Sequence, residues 1–292
     1  MRIAVLGAGG VGGLLAGLLS RAGNNVVVVA TEASASAIAQ RGLTVESRRF
    51  GDFHISVKSA TSLEEPVDAC LITVKATQLV EALHRLPPEN IASAMVIPFL
   101  NGIDHMATLR GIYPPDQVEA GTIRVESARI GPGVIRHTSP FASIELAAID
   151  ENHIAIDLLA NQLTAVGLDV RVRADEVPML WEKLAFLAPV ALMTTVYRTN
   201  VGVIRTTYRS ETLGMIDEVA RVARAEGAQL SPEAVVTILD SVPAAMESSM
   251  QRDREAGRPL ELDAIGGAVL RHAAMVGVAV PITSHLVGQL RT

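Results

Sequence analysis

Aromatic residues make up only 3% of this 292-residue chain, which holds a single cysteine, a single tryptophan and no excess of positive charge. So few rings leave Leu, Val, Ile, Ala and Met to fill the core. The lone cysteine, Cys70, excludes an internal disulfide and, lying between Ala69 and Leu71 in an apolar run, reads as a small core residue. With 25 Lys and Arg against 31 Asp and Glu, the net charge of −6 argues against a general nucleic-acid binder. There is no polybasic patch, no low-complexity tract and no internal repeat. No apolar run reads as long enough to span a bilayer, and Arg2 to Leu6 reads as a strand rather than a signal segment. A cytoplasmic protein that avoids membranes is the expectation. Hydrophobic residues at 49% and charged residues at 19% suit a globular enzyme, and the length suits two domains.

What the chain does have is a glycine-rich turn in a specific setting. Arg2 to Leu6 reads as a buried strand, Gly7-Ala8-Gly9-Gly10-Val11-Gly12 as a tight turn, and Leu14, Leu15, Leu18 and Leu19 as the inward stripe of a helix. Gly7 permits the reversal from strand to helix, Gly9 lets the backbone approach a pyrophosphate, and Gly12 lets helix and strand lie close. Gly10 and Val11 would offer backbone N–H groups at the positive end of the helix dipole. A second apolar strand, Val26 to Ala30, completes the dinucleotide-binding pattern. Next comes Thr31-Glu32, where an acid would bind a ribose 2′-hydroxyl and a base a 2′-phosphate. Thr31 is neither and Glu32 suits a first helical turn, so NADP(H) and NAD(H) both stay open.

Further along, Leu43 to Ser47 and His54 to Lys58 alternate as a hairpin around Gly51-Asp52. Asp68 to Val74 returns to the central sheet and ends in Lys75, which suits either a bound phosphate or carboxylate or a solvated strand end. Met95 to Phe99 ends in Asn101-Gly102, at the same ligand-binding edge, where Asn101 can serve as a ligand amide or as a turn residue. Val118 to Ile123 and a Gly131-Pro132-Gly133 hairpin are expected to complete that sheet, with His137 a structural residue. Beyond Asp175 the pattern is helix after helix, with Ser231-Pro232 as a start and Gly227, Gly257 and Gly277 as ends. The expected fold is α/β: a Rossmann-like dinucleotide-binding domain over 1–173, then an all-helical domain over 174–292.

These motifs resemble the ketopantoate reductase (2-dehydropantoate 2-reductase) family over essentially the whole chain. The resemblance runs through Gly7-Ala8-Gly9, Val74-Lys75-Ala76, Asn101-Gly102, Trp181-Glu182-Lys183-Leu184, Ser248 to Asp253 and Glu261 to Gly267. It implies hydride transfer from NADPH to the 2-keto group of ketopantoate. In that reading Lys183 is the general acid and Asn101 orients nicotinamide and substrate. Ser249 holds the substrate carboxylate, Glu261 hydrogen-bonds in the same pocket, and Lys75 lies near the cofactor. The chemistry fits, since hydride addition leaves charge on oxygen and a partly desolvated lysine is a suitable proton donor. Outside that motif context, Lys183 would read as a solvated helix lysine and Glu261 as a first-turn carboxylate.

The departures matter as much. The family usually carries two asparagines four and eight residues after the lysine; this chain has Leu187 and Ala191 in those substrate-facing places, and Pro189 is shifted. Apolar surface there points to a substrate with a more hydrophobic tail. Thr31 stands where the family commonly has an arginine for the NADP phosphate. An NAD(H)-dependent D-2-hydroxyacid dehydrogenase of the same family is the alternative, and a non-catalytic dinucleotide sensor is the alternative of another class. A small 2-keto acid is the expected partner, with no metal. The apolar Ala264 to Val276 suits packing within the domain or against a second copy, a homodimer being the commonest assembly.

Overall fold

The computed structural model describes residues 1–148 and 153–291. The chain divides into two compact units: Met1–Leu100 with His105–Glu176, and Asn101–Asp104 with Val177–Thr292. The short excursion at Asn101 places that residue in the second unit.

Strands of the first unit are Arg2–Leu6 (β1), Asn25–Val29 (β2), Leu43–Ser47 (β3), Phe53–Ile55 (β4), Lys58–Ala60 (β5), Ala69–Ile72 (β6), Met95–Pro98 (β7), Gly121–Gly131 (β8), Val134–Ala147 (β9) and Asp169–Arg173 (β10). Its helices are Gly10–Arg21 (α1), Glu32–Arg41 (α2), Leu79–Leu83 (α3), Pro88–Ile91 (α4), His105–Arg110 (α5) and His153–Ala165 (α6). A parallel sheet runs β5-β2-β1-β6-β7, with Leu6 opposite Val29 on one side and Ile72 on the other. Every residue of β6 and β7 is buried, as expected of strands covered on both faces.

A second sheet, β10-β9-β3-β4 with β8 against β9, corrects the expectation that the Gly131-Pro132-Gly133 hairpin completes the first. The reason lies in the pattern of β9, which alternates buried and exposed residues along its first half. Such a strand suits a sheet with one open face, and it pairs with β3 through Thr44 opposite Val134. The expected strand His54–Lys58 likewise splits, β4 joining the second sheet and β5 the first. Helix α1 touches strands of both sheets. Its glycine face allows this: a Cβ at Gly13 would come within 2.4 Å of the Ile135 side chain, and one at Gly17 within 3.0 Å of Val45. His137 is buried, with Nδ1 2.9 Å from Ser47 Oγ and Nε2 3.1 Å from Ser139 Oγ, and burial lowers its pKa. Cys70 is fully buried, which pushes its thiol up to about 12.

The second unit is helical, and no strand follows Arg173 among the described residues. Its helices are Glu176–Tyr197 (α7), Val201–Ile204 (α8), Arg209–Ala225 (α9), Pro232–Ser241 (α10), Ser249–Glu255 (α11), Ala268–Val276 (α12) and Pro281–Leu290 (α13). Ser231 caps α10 by accepting from Ala234 N, and Gly277 ends α12 in the left-handed conformation at φ 70°. Against expectation, α7 is long and apolar enough by length and composition to cross a bilayer. It is a core helix here, with 72% of its most apolar window buried inside the protein. A single π-turn, Asp263–Gly267, precedes α12.

Candidate active site

In the first unit the chain leaves β1 at Gly7, whose φ of 109° belongs to glycine and whose Cβ position lies 2.9 Å from Val74. A Cβ on Gly12 would fall 2.0 Å from Gly7 O, so this residue holds helix and strand together. A Cβ on Gly10 would meet Ser127 O at 2.2 Å, because β8 passes over the start of the helix. Ser127 Oγ donates to Gly10 O at 2.8 Å. Gly9 differs: a Cβ there would meet nothing within 4 Å. Three of the four glycines therefore have a packing reason, and Gly9 alone faces open space at the helix N-terminus. Gly9 caps α1 with backbone and no side-chain bond, and the first turn carries no acid. Val11 is half-buried in that turn. These features fit a dinucleotide pyrophosphate.

Thr31 is the exposed cap of α2, and Glu32 lies in its first turn. Thr31 Oγ1 donates to Ser34 Oγ at 3.2 Å, and Arg129 Nη1 from β8 donates to the same oxygen at 3.0 Å. A guanidinium thus stands beside the first turn of α2, delivered from almost 100 positions away, which reading the β2 tip in isolation misses. Lys75 is half-buried just past β6, at the start of a short 3-10 turn.

In the second unit, Asn101 Nδ2 donates to Glu261 Oε2 at 3.0 Å, across 160 positions of sequence. Glu261 is only 7% exposed, so this carboxylate is held by polar partners rather than water. Lys183 is half-buried on α7; Leu187 follows one turn on, half-buried, and Ala191 one turn further, buried. Ser249 is exposed as the first residue of α11, whereas Ser248 is buried as its cap. Ser248 Oγ accepts from Gln251 N at 3.0 Å and from Thr194 Oγ1 of α7 at 2.8 Å, tying the two helices together. Ser248 is thus a structural serine and Ser249 the one available to a ligand.

A charged cluster behind Asn101 escaped the sequence reading. Arg271 Nη2 donates to Asp104 Oδ2 at 2.6 Å and Arg271 Nη1 to Asp263 Oδ1 at 2.7 Å. His272 Nε2 lies 2.8 Å from Asp104 Oδ1 and its Nδ1 2.5 Å from Glu226 Oε1. The hydrogen bond to Asp104, joined by that to Glu226, raises the imidazole pKa against the opposing effect of burial. Asp104 is correspondingly lowered, chiefly by His272 and then by Arg271. Trp181 Nε1 donates to Glu226 Oε2 at 3.1 Å, and its indole meets the imidazole edge-on at 5.6 Å. Only the adjacency of Arg271 and His272 is visible in sequence; their acceptors come from distant elements.

Residues 3–151 match the family described as Ketopantoate reductase PanE/ApbA, and residues 177–292 match its C-terminal domain, Ketopantoate reductase PanE/ApbA C terminal. Uncharacterized oxidoreductase YkpB of Bacillus subtilis is 29% identical, over 100% of this chain and 98% of its own. The crystal structure of 2-dehydropantoate 2-reductase from Geobacter metallireducens is 29% identical, with a TM-score of 0.91 covering 100% of this chain and 99% of its own. D-mandelate dehydrogenase solved with NADH is 25% identical, with a TM-score of 0.88 covering 100% of this chain and 98% of its own.

Proposed function

The chain belongs to the ketopantoate reductase family and is an NAD(P)-dependent oxidoreductase, and from that premise we propose that it reduces ketopantoate to pantoate with NADPH, Lys183 acting as general acid. NADPH, when bound, would supply the hydride that the keto carbon receives. As the carbonyl π electrons move onto oxygen, Lys183 gives that oxygen a proton, so that no free alkoxide accumulates. Asn101 orients the reacting groups while its amide is itself held by Glu261. Ser249 donates its hydroxyl to the substrate carboxylate. Gly9 and the N-terminus of α1, with Gly7, Gly10, Val11 and Gly12 shaping the turn, receive the pyrophosphate, and Lys75 lies near it. Arg129, beside Thr31 and Ser34, supplies the positive charge for a 2′-phosphate that Thr31 lacks.

The single observation carrying this reading is the 3.0 Å hydrogen bond from Asn101 to Glu261. It joins two residues that the family motifs assign to one pocket and that lie far apart in the chain. A second reading rests on Leu187 and Ala191: reduction of a 2-keto acid with a more apolar tail, using NADH or NADPH. Buried amides discriminate strongly for polar substrate groups, and their replacement by apolar side chains removes that preference.

Initial rates of NADPH and NADH oxidation with ketopantoate and with bulkier apolar 2-keto acids separate the two. Highest kcat/KM for ketopantoate with NADPH upholds the first reading; a poor rate there beside fast turnover of an apolar keto acid replaces it with the second. No turnover of any 2-keto acid, and a Lys183→Ala variant with an unaltered cellular role, would make the protein a dinucleotide sensor.

A further inference from the structure

The segment Asn101–Asp104 is pinned at three points within the helical unit. Asn101 donates to Glu261 at 3.0 Å. Gly102, with φ of 82°, lies so close to the π-turn that a Cβ would fall 2.1 Å from Ala264 O. Asp104 accepts from Arg271 at 2.6 Å and from His272 at 2.8 Å. The first two anchors are a hydrogen bond and a steric fit. The third is electrostatic, and it includes a group that changes charge near neutrality.

We propose that His272, together with Arg271, is a positioning residue for Asn101, holding the Asn101–Asp104 segment through Asp104 so that the Asn101 amide stays on Glu261. His272 meets Asp104 and Glu226, so it acts on Asn101 through Asp104. The inference rests on the reading of Asn101 and Glu261 as part of the reductase site.

The geometry dictates the protonation state that holds the segment best. Carboxylates accept and do not donate, and the two imidazole nitrogens face one carboxylate each. Only the imidazolium can donate to both Asp104 and Glu226; the neutral ring loses one bond and turns a lone pair toward a carboxylate oxygen. The charged groups around the ring are Asp104 from the loop, Glu226 from the end of α9, and Arg271 with Asp263 on the far side of Asp104. The Trp181 indole meets the ring edge-on at 5.6 Å. The clamp is therefore tight below the His272 transition and loosens as pH rises through it, while Arg271 holds Asp104 on either side.

Selective 15N-asparagine labelling of the full-length protein tests this directly, with Asn101→Ala identifying the Asn101 side-chain resonance. That resonance should move with pH across one transition above about pH 6.5 in the wild type. In His272→Gln it should lose the transition and sit at the alkaline position throughout, whereas in Asp104→Asn, which also weakens the Arg271 pair, it should be displaced from the wild-type position at every pH. An Asn101 resonance that is identical in wild type and both variants at every pH overturns the proposal, whatever their activity. Kinetics add the functional arm: kcat/KM of His272→Gln should be about ten-fold below wild type at low pH, with the ratio approaching one above the transition, whereas Asp104→Asn should stay below wild type on both sides of it. In an Asn101→Ala background the same substitutions should cost little, since the group being positioned is gone. Full multiplicative losses in that background would also overturn the proposal. If the resonance responds as expected while Asn101→Ala leaves turnover of every 2-keto acid unaltered, the clamp stands and the assignment of Asn101 to the reductase site falls.

Discussion

At the scale of single residues, neighbouring glycines in one motif do different jobs. Gly9 faces open space and Gly10 faces the backbone of Ser127 at 2.2 Å. Gly9→Ala should therefore leave thermal stability almost unaltered and weaken cofactor binding by ten-fold or more, read by titration of NADPH fluorescence. Gly10→Ala should destabilise by about 1–3 kcal/mol, because backbone must move to admit the methyl group; denaturant unfolding measures it. His272 carries a stability prediction with a definite sign. Its folded-state pKa is raised above the ordinary imidazole value. Its contribution is thus complete below that ordinary value and is lost as pH rises through the raised one. The melting temperature should fall across that window in the wild type, and His272→Gln should flatten the fall. Asp104 has the opposite sense: its lowered pKa contributes stability above the ordinary carboxylate value that disappears as pH drops through the lowered one.

At the scale of elements, the proposed reaction makes helix α7 and strand β8 the places where specificity is tested. Lys183, Leu187 and Ala191 recur every four residues on α7 and so share one face. Leu187→Asn should restore a polar contact there, raising kcat/KM for ketopantoate relative to apolar 2-keto acids by about ten-fold. Steady-state competition between the two substrates reads that ratio. On β8, Arg129 reaches Ser34 at the start of α2. Arg129→Ala should weaken NADPH by about ten- to a hundred-fold and leave NADH within two-fold, as measured by equilibrium binding, because a charge-assisted contact to phosphate is lost and the ribose hydroxyl needs no cation. Helix α1 shows the cost of serving two sheets: Gly10, Gly13 and Gly17 line the face toward the second one. Their spacing of three and four is legible in the sequence as a close-packing stripe, whereas the motif itself points to packing only at Gly12, toward β1.

At the scale of the whole molecule, a ligand bound only by the folded protein must raise its stability. NADPH at about one hundred times its Kd should add about 2.7 kcal/mol, and its removal by dialysis should return the melting temperature to the starting value. NADH matching that gain at equal concentration would count against Arg129 as a phosphate ligand. By itself the sequence determined the fold class and the strand–glycine turn–helix opening, because these depend on local periodicity, backbone freedom and capping, while the family was legible only through the resemblance of its motifs. The continuous apolar runs of β1, β6 and β7 and the Ser231-Pro232 and Gly277 signals belong to that group. Tertiary structure alone decided that β8 and β9 form a second sheet, since the choice between two edges depends on which faces other elements cover. It also decided which of Ser248 and Ser249 is buried, that Arg129 stands at α2, and that Arg271 and His272 hold Asp104. Each of these joins groups distant along the chain, and the strength of a hydrogen bond or a charge pair depends on distance and burial in space, which sequence order does not encode.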